Sequence, residues 1–163
     1  ALDDDFQRII ALDCIYHFNN KSQYFSLCER HLANDGVLVI SDLLLAKEHL
    51  PTWHKLLLKS ICYLSHIPYE NFKTTKQYQQ QLAESGLTIT QQKDITEHVF
   101  LPFGQWLAEY IPSVKNSPNL PKYMSWLKYK GTAKFLAWGE NQNVFRYSLL
   151  KIERKIERKI EKG

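Results

Sequence analysis

Two short apolar runs joined by one helix constrain this chain more than any other feature. "RIIALD" (8–13) and "VLVISDLLL" (37–45) are continuous enough to read as strands buried on both faces, the pattern of a parallel sheet. Between them, Tyr24, Leu27, Cys28, His31 and Leu32 recur three and four apart, so the spacing predicts one helical face over 21–33. Asn20 with Gln23 marks its start, and Gly36 is placed to end it. Strand, helix, strand is a βαβ unit with a right-handed crossover, so the chain is expected to be an α/β domain.

Downstream, Pro51 opens a predicted helix over 51–66. Its Leu50, Trp53, Leu57, Ile61 and Leu64 form the stripe expected to pack on the sheet, with Lys55, Lys59 and Ser60 mostly off it. His49, His54 and His66 are scattered and read as surface or capping residues. Thr74 and Gln77 make a capping box for a helix over 75–85, Gly86 ends it, and "LTITQQ" (87–92) alternates as a half-buried strand. Residues 97–143 hold Phe100, Phe103, Trp106, Tyr110, Tyr123, Trp126, Tyr129, Phe135 and Trp138 with four prolines between, and predict helices near 101–111, 120–129 and 131–138. "NVFRYSLLKIER" (143–154) reads as a last, antiparallel strand. The charged repeat at 155–163 reads as a solvated tail.

Composition narrows the function. The net charge of +4 lies largely in the last dozen residues, and no basic stripe with interleaved aromatics runs through the body, so no nucleic-acid partner is expected. Cys14, Cys28 and Cys62 are dispersed, which fits reduced thiols in a cytoplasmic protein. No CxxC motif is present, and no metal is expected. No run of 18 apolar residues is present to span a membrane.

The order of elements, and several stretches of sequence, resemble the C-terminal half of a class I S-adenosylmethionine-dependent methyltransferase. "DDFQRIIALDCIYHF" is similar to that family's fourth strand and the turn after it. "CERHLANDGVLVISD" resembles the following helix, turn and fifth strand. "TTKQYQQQLAESGLTI" resembles the approach to the sixth strand, and "FRYSLLKIER" the seventh. The resemblance covers residues 5–95 and 143–154, and is nearest to the ubiquinone-, tocopherol- and sterol-type small-molecule enzymes. It implies strands four to seven of a Rossmann-like sheet, with flanking helices and a helical insert before the last strand. Residues 1–154 would then be a partial methyltransferase domain whose insert, 97–143, selects the substrate. Gln7 stands where the family has an aspartate, and Asp35 where it has a glycine. The glycines, at 36, 86, 104, 131, 139 and 163, never cluster into the loop that cradles the cofactor. A missing N-terminal half, or a partner chain, is therefore expected to supply that loop.

In an open α/β sheet, ligands sit beyond the C-terminal ends of the strands, here Leu12-Asp13 and Ser41-Asp42. The resemblance implies that Ala11, Leu12, Asp13 and Tyr16 lie beside S-adenosylmethionine. Asp13 would accept a hydrogen bond from the cofactor or the acceptor, or serve only as a turn aspartate. His17 and Asp13 are the catalytic candidates, His17 as a general base. Tyr16, His17, Asp42, Trp106 and Tyr110 are the candidates for substrate contact. The helix over 51–66 would pack on the sheet, cap a hydrophobic substrate, or touch a membrane surface with Lys55 and Lys59 near the headgroups. The functional expectation is methyl transfer to a hydrophobic small molecule in concert with the missing half. The rival is a methyltransferase-like binding domain that has lost its cofactor loop.

Overall fold

Asn20 behaves as its position demands: its Oδ1 accepts the Gln23 N–H at 2.9 Å and starts helix α1, Lys21–His31. The computed structural model describes residues 5–114 and 123–155. Strand β1 is Phe6–Ala11 and β2 is Leu32–Leu45; helix α2 is Thr52–Leu64. A two-residue β3 (Lys73–Thr74), α3 (Thr75–Glu84) and β4 (Leu87–Asp94) follow, then α4 (Thr96–Val114), α5 (Tyr123–Asn141) and β5 (Phe145–Arg154).

The sheet order is β1-β2-β5-β4, with β3 bonded to the end of β2. β1 and β2 are parallel, while β5 runs antiparallel between β2 and β4. This is a mixed sheet with helices and with a helical insert before the last strand, as expected. Strand parity divides the core in two. Leu38, Ile40, Leu44, Leu150 and Ile152 face α1 and α3, where Phe25, Tyr78 and Leu82 close over them. Phe145 and Tyr147 face the other way, toward Leu58 and Cys62 of α2 and Phe100 of α4.

Several expectations need correction. β1 is not buried on both faces; among the described residues it pairs with β2 alone, and Ile10 and Leu12 are 66% and 55% exposed. Gly36 does not end α1. It lies inside β2, at an irregularity where Phe6 pairs with Leu32 but Arg8 with Val37. A Cβ there would come within 2.8 Å of the Phe6 carbonyl oxygen, so close backbone approach is what requires glycine. The expected break near residue 130 is absent, because α5 runs through Gly131; glycine weakens a helix by about 1 kcal/mol but does not have to end one. The expected stripe of α2 is also displaced. His54, Leu58 and Cys62 are its buried residues, while Trp53, Leu57 and Leu64 are exposed. His54 is therefore not a surface residue. The tail expected to be solvated lies, from residue 156 on, outside the described residues.

The capping box of α3 is complete: Thr74 Oγ1 accepts the Gln77 N–H at 3.3 Å, and Gln77 Oε1 accepts the Thr74 N–H at 3.0 Å. Thr74→Ala should lower stability by about 1 kcal/mol, read as a lower urea midpoint at unchanged slope.

Candidate functional site

The site begins where β1 ends. Asp13 has φ 56°, in the left-handed region that aspartate enters more readily than most residues. Its N–H donates to Ser41 Oγ at 2.9 Å, bracing the tip of β1 against β2. The chain then makes one 3-10 turn, Ile15–His17, with Ile15 fully buried as its plug. Asn71 fixes this turn from below, its Nδ2 donating to the Tyr16 and Phe18 carbonyls at 3.0 and 2.7 Å.

Two tyrosines converge on Asp13. Tyr16 donates its hydroxyl to Asp13 Oδ1 at 2.6 Å, and Tyr147 donates to the same oxygen at 2.9 Å. Ser41 Oγ lies 2.7 Å from the Tyr147 hydroxyl. Since Tyr147 gives its one proton to Asp13, Ser41 must be the donor in that contact. The result is a closed ring of hydrogen bonds, Asp13 N–H to Ser41 to Tyr147 to Asp13 Oδ1, with one consistent direction. Burial pushes the Tyr147 hydroxyl up to about 12; the Ser41 bond opposes the shift and the bond to Asp13 adds to it. Burial, then the hydrogen bond to Asp13, pushes Tyr16 up as well. Both tyrosines are thus held as donors.

Beside this ring opens a cavity of about 360 Å³. Asp13, Tyr16, His17 and Tyr147 form its polar wall. The rest is mostly apolar, with Leu58 and Ile61 from α2, Phe100 and Phe103 from α4, and Phe135 from α5. The His17 ring packs at 4.6 Å, centroid to centroid, on Tyr16 and is exposed. Among the described residues no hydrogen bond engages its nitrogens, so a lone pair is available toward a guest.

The structure therefore gathers Asp13, Tyr16 and His17 and leaves the other candidates off the cavity wall. Ala11 packs into the α1/α3 core, and Leu12 is exposed at the sheet edge. Trp106 and Tyr110 stack in a pile with Phe103 along α4, at 6.1 and 4.7 Å between successive rings, and only Phe103 reaches the cavity. Asp42 is the clearest correction. One residue of strand parity turns it to the α1/α3 face, away from Ser41 and Leu43, and it is fully buried. There its Oδ2 meets Lys21 Nζ at 2.5 Å and the Tyr78 hydroxyl at 2.7 Å, while its Oδ1 accepts the Leu43 N–H at 2.8 Å. Burial pushes the Asp42 carboxyl up and the Lys21 ammonium down, and their contact opposes both shifts. Lys21 also reaches the Asn71 carbonyl at 3.3 Å, so the pair steadies the residue that holds the 3-10 turn.

Tyr147 is the site residue that sequence reasoning missed. The alternation Phe145, Tyr147, Leu149 was its signal: residues sharing a face with Leu43 had to look toward the cavity. Cys62 and Leu58 were missed with the inner face of α2.

No family model matches the sequence, and no curated protein matches it. Solved structures do. A mycolic acid cyclopropane synthase, determined with S-adenosylhomocysteine and CTAB, superimposes with a TM-score of 0.77 at 16% identity, covering 93% of this chain and 56% of the other. The phosphoethanolamine N-methyltransferase 2 of Haemonchus contortus, with phosphomonomethylethanolamine and S-adenosylhomocysteine, gives 0.74 at 12% identity, covering 93% and 34%. A cyclopropane synthase from Mycobacterium tuberculosis gives 0.67 at 16% identity, covering 91% and 55%. The chain spans about half or less of the length of these structures.

Proposed function

We propose that this chain, which has the class I methyltransferase fold, is the C-terminal part of an S-adenosylmethionine-dependent methyltransferase acting on a hydrophobic small molecule. The observation that carries this reading is the apolar cavity closed on one side by Asp13, Tyr16, His17 and Tyr147 at the C-terminal tip of the sheet. The residues fit one wall of a cofactor site and no more. Leu12 offers an exposed apolar surface at the tip of β1, and Asp13 offers a carboxylate. No close pair of glycines is present to cradle the cofactor. The open edge of β1 is where an N-terminal half, or a partner chain supplying it, would add its strands.

S-adenosylmethionine, when bound, supplies a methyl group on a positively charged sulfur. This chain's residues do the rest. The apolar walls hold the acceptor and exclude water, and positioning carries most of the rate of an in-line transfer. His17 takes the proton from an acceptor hydroxyl or acidic carbon onto a ring nitrogen and passes it to solvent. Asp13 is held still by its two tyrosine donors and orients the polar end of the acceptor. The three free cysteines support a cytoplasmic setting.

The test joins the chain to its N-terminal half and supplies labelled cofactor with quinone-like and lipid acceptors. Label should transfer, and His17→Gln should lower kcat by about 10²–10⁴-fold with little change in cofactor affinity. No transfer to any such acceptor would overturn the reading. The dispersed glycines favour one rival, a binding domain without chemistry. Calorimetric titration separates the two: the joined protein should bind S-adenosylmethionine and the rival should not. Micromolar binding by residues 1–163 alone would remove the need for the N-terminal half.

A further inference from the structure

Helix α2 has two apolar faces. His54, Leu58 and Cys62 point inward, and Ile61 beside them lines the cavity. On the other side Trp53, Leu56, Leu57, Tyr63 and Leu64 are exposed by 56, 67, 37, 83 and 67%. At 100° per residue these five fall within one arc of roughly 120°, broken by Ser60 alone. Ser60 returns its hydroxyl to the Leu56 carbonyl at 2.9 Å, so even this break is withdrawn from solvent bonding. A monomer in water has no use for an arc of this size.

Charge indicates what covers it. Lys59 borders the arc and Lys55 lies further round on the same side, both exposed, and α2 contains no acidic residue; Glu48 and Glu70 lie beyond its two ends. Trp53 and Tyr63 stand near opposite ends of the helix, and their rings suit an apolar–polar boundary. The arc also adjoins the cavity, because Leu57 and Leu64 lie one turn either side of the cavity-lining Ile61. Phe103, 38% exposed, links the cavity to the outer surface of α4, where Leu101 and Trp106 are half exposed.

We propose that the outer arc of α2 docks on an anionic lipid bilayer, and that the hydrophobic acceptor enters the cavity from it past Phe103. The docking stands on the arc and its lysines; the entry route rests on the methyl-transfer reading. No helix among the described residues is long and apolar enough to cross a membrane, so the helix would lie in the plane of the surface.

Flotation of the full chain with vesicles tests this. Vesicles of two parts phosphatidylcholine to one part phosphatidylglycerol should carry the protein up the gradient, and phosphatidylcholine alone should carry far less. Leu56→Asp and Tyr63→Asp alter exposed positions and should each weaken partitioning at least about tenfold with unchanged circular dichroism. Lys55→Gln with Lys59→Gln should weaken it roughly thirtyfold and flatten its dependence on salt. No flotation with the anionic vesicles, or flotation indifferent to Leu56→Asp, overturns the proposal. So does a dimer in light scattering that Leu56→Asp dissolves, which would assign the arc to a second copy. Flotation does not involve methyl transfer, so failure of one reading leaves the other measurable.

Discussion

Lys21→Met is expected to cost about 3–5 kcal/mol, because it leaves Asp42 charged and without its cation in a fully buried site. The methionine fills the lysine stem's space, so the loss is electrostatic rather than a cavity effect. Its pH dependence has a definite sign. Burial already pushes the Asp42 carboxyl up, and removing Lys21 deletes the largest influence opposing that shift. A carboxyl raised in the folded state contributes stability below its unfolded pKa and loses it as pH rises through the folded value. The deficit of Lys21→Met against the parent should therefore be small in acid and grow as pH rises through the variant's raised folded value. Urea denaturation across that range checks it. Adding Asp42→Asn should recover most of the neutral-pH loss, since the amide oxygen still accepts from Tyr78 and no charge remains. An equal deficit at all pH values would show that Lys21 acts by packing.

The second large effect is Phe145→Ala, at about 3–5 kcal/mol. Phe145 is 1% exposed, and its ring lies 5.1 to 6.4 Å from those of Phe135, Phe100 and Phe72. Gly139 of α5 rests directly on it; a Cβ at that position would fall 2.1 Å from the ring. Gly139→Ala alone should therefore cost roughly 1–3 kcal/mol by overpacking. The double variant should be more stable than the sum of the two losses, because the new methyl enters the space the ring vacates. Thermal melts of the four proteins test this, and strict additivity would contradict it. The three neighbouring rings also line the cavity, so Phe145→Ala should admit bulkier guests.

The βαβ unit, the capping box and the antiparallel last strand were legible because each is a local pattern: an apolar run, a Thr-x-x-Gln, an alternation. What was not legible required knowing two sides of an element at once. For α2, periodicity returned the stripe Leu50, Trp53, Leu57, Ile61, Leu64, whose helical members other than Ile61 fall on the exposed outer arc, while the inner face of His54, Leu58 and Cys62 went unseen. For Asp42, position at a strand tip suggested the site, yet parity with Leu38, Ile40 and Leu44 sent it into the core. Lys21 was passed over because a lysine on a helix's first turn is ordinarily wet, and its acidic partner is 21 residues away. Of the polar wall, Asp13, Tyr16 and His17 lie within one short stretch and could be seen together. Tyr147 arrives from 134 residues downstream of Asp13, a distance only the fold can close.

That long reach also sets the order in which the molecule can assemble. β2 occupies the interior of the sheet only because β5 pairs along it, from Leu38 with Ile152 to Leu45 with Phe145. Bringing them together closes a loop of ~100 residues, an entropic cost met before any of the pairing is formed. A ribosome-bound chain that stops short of residue 145 must hold β2 with its far edge bare and the ring around Asp13 open. Folding is then slow by topology, and the growing chain is most prone to aggregate just before its last strand emerges.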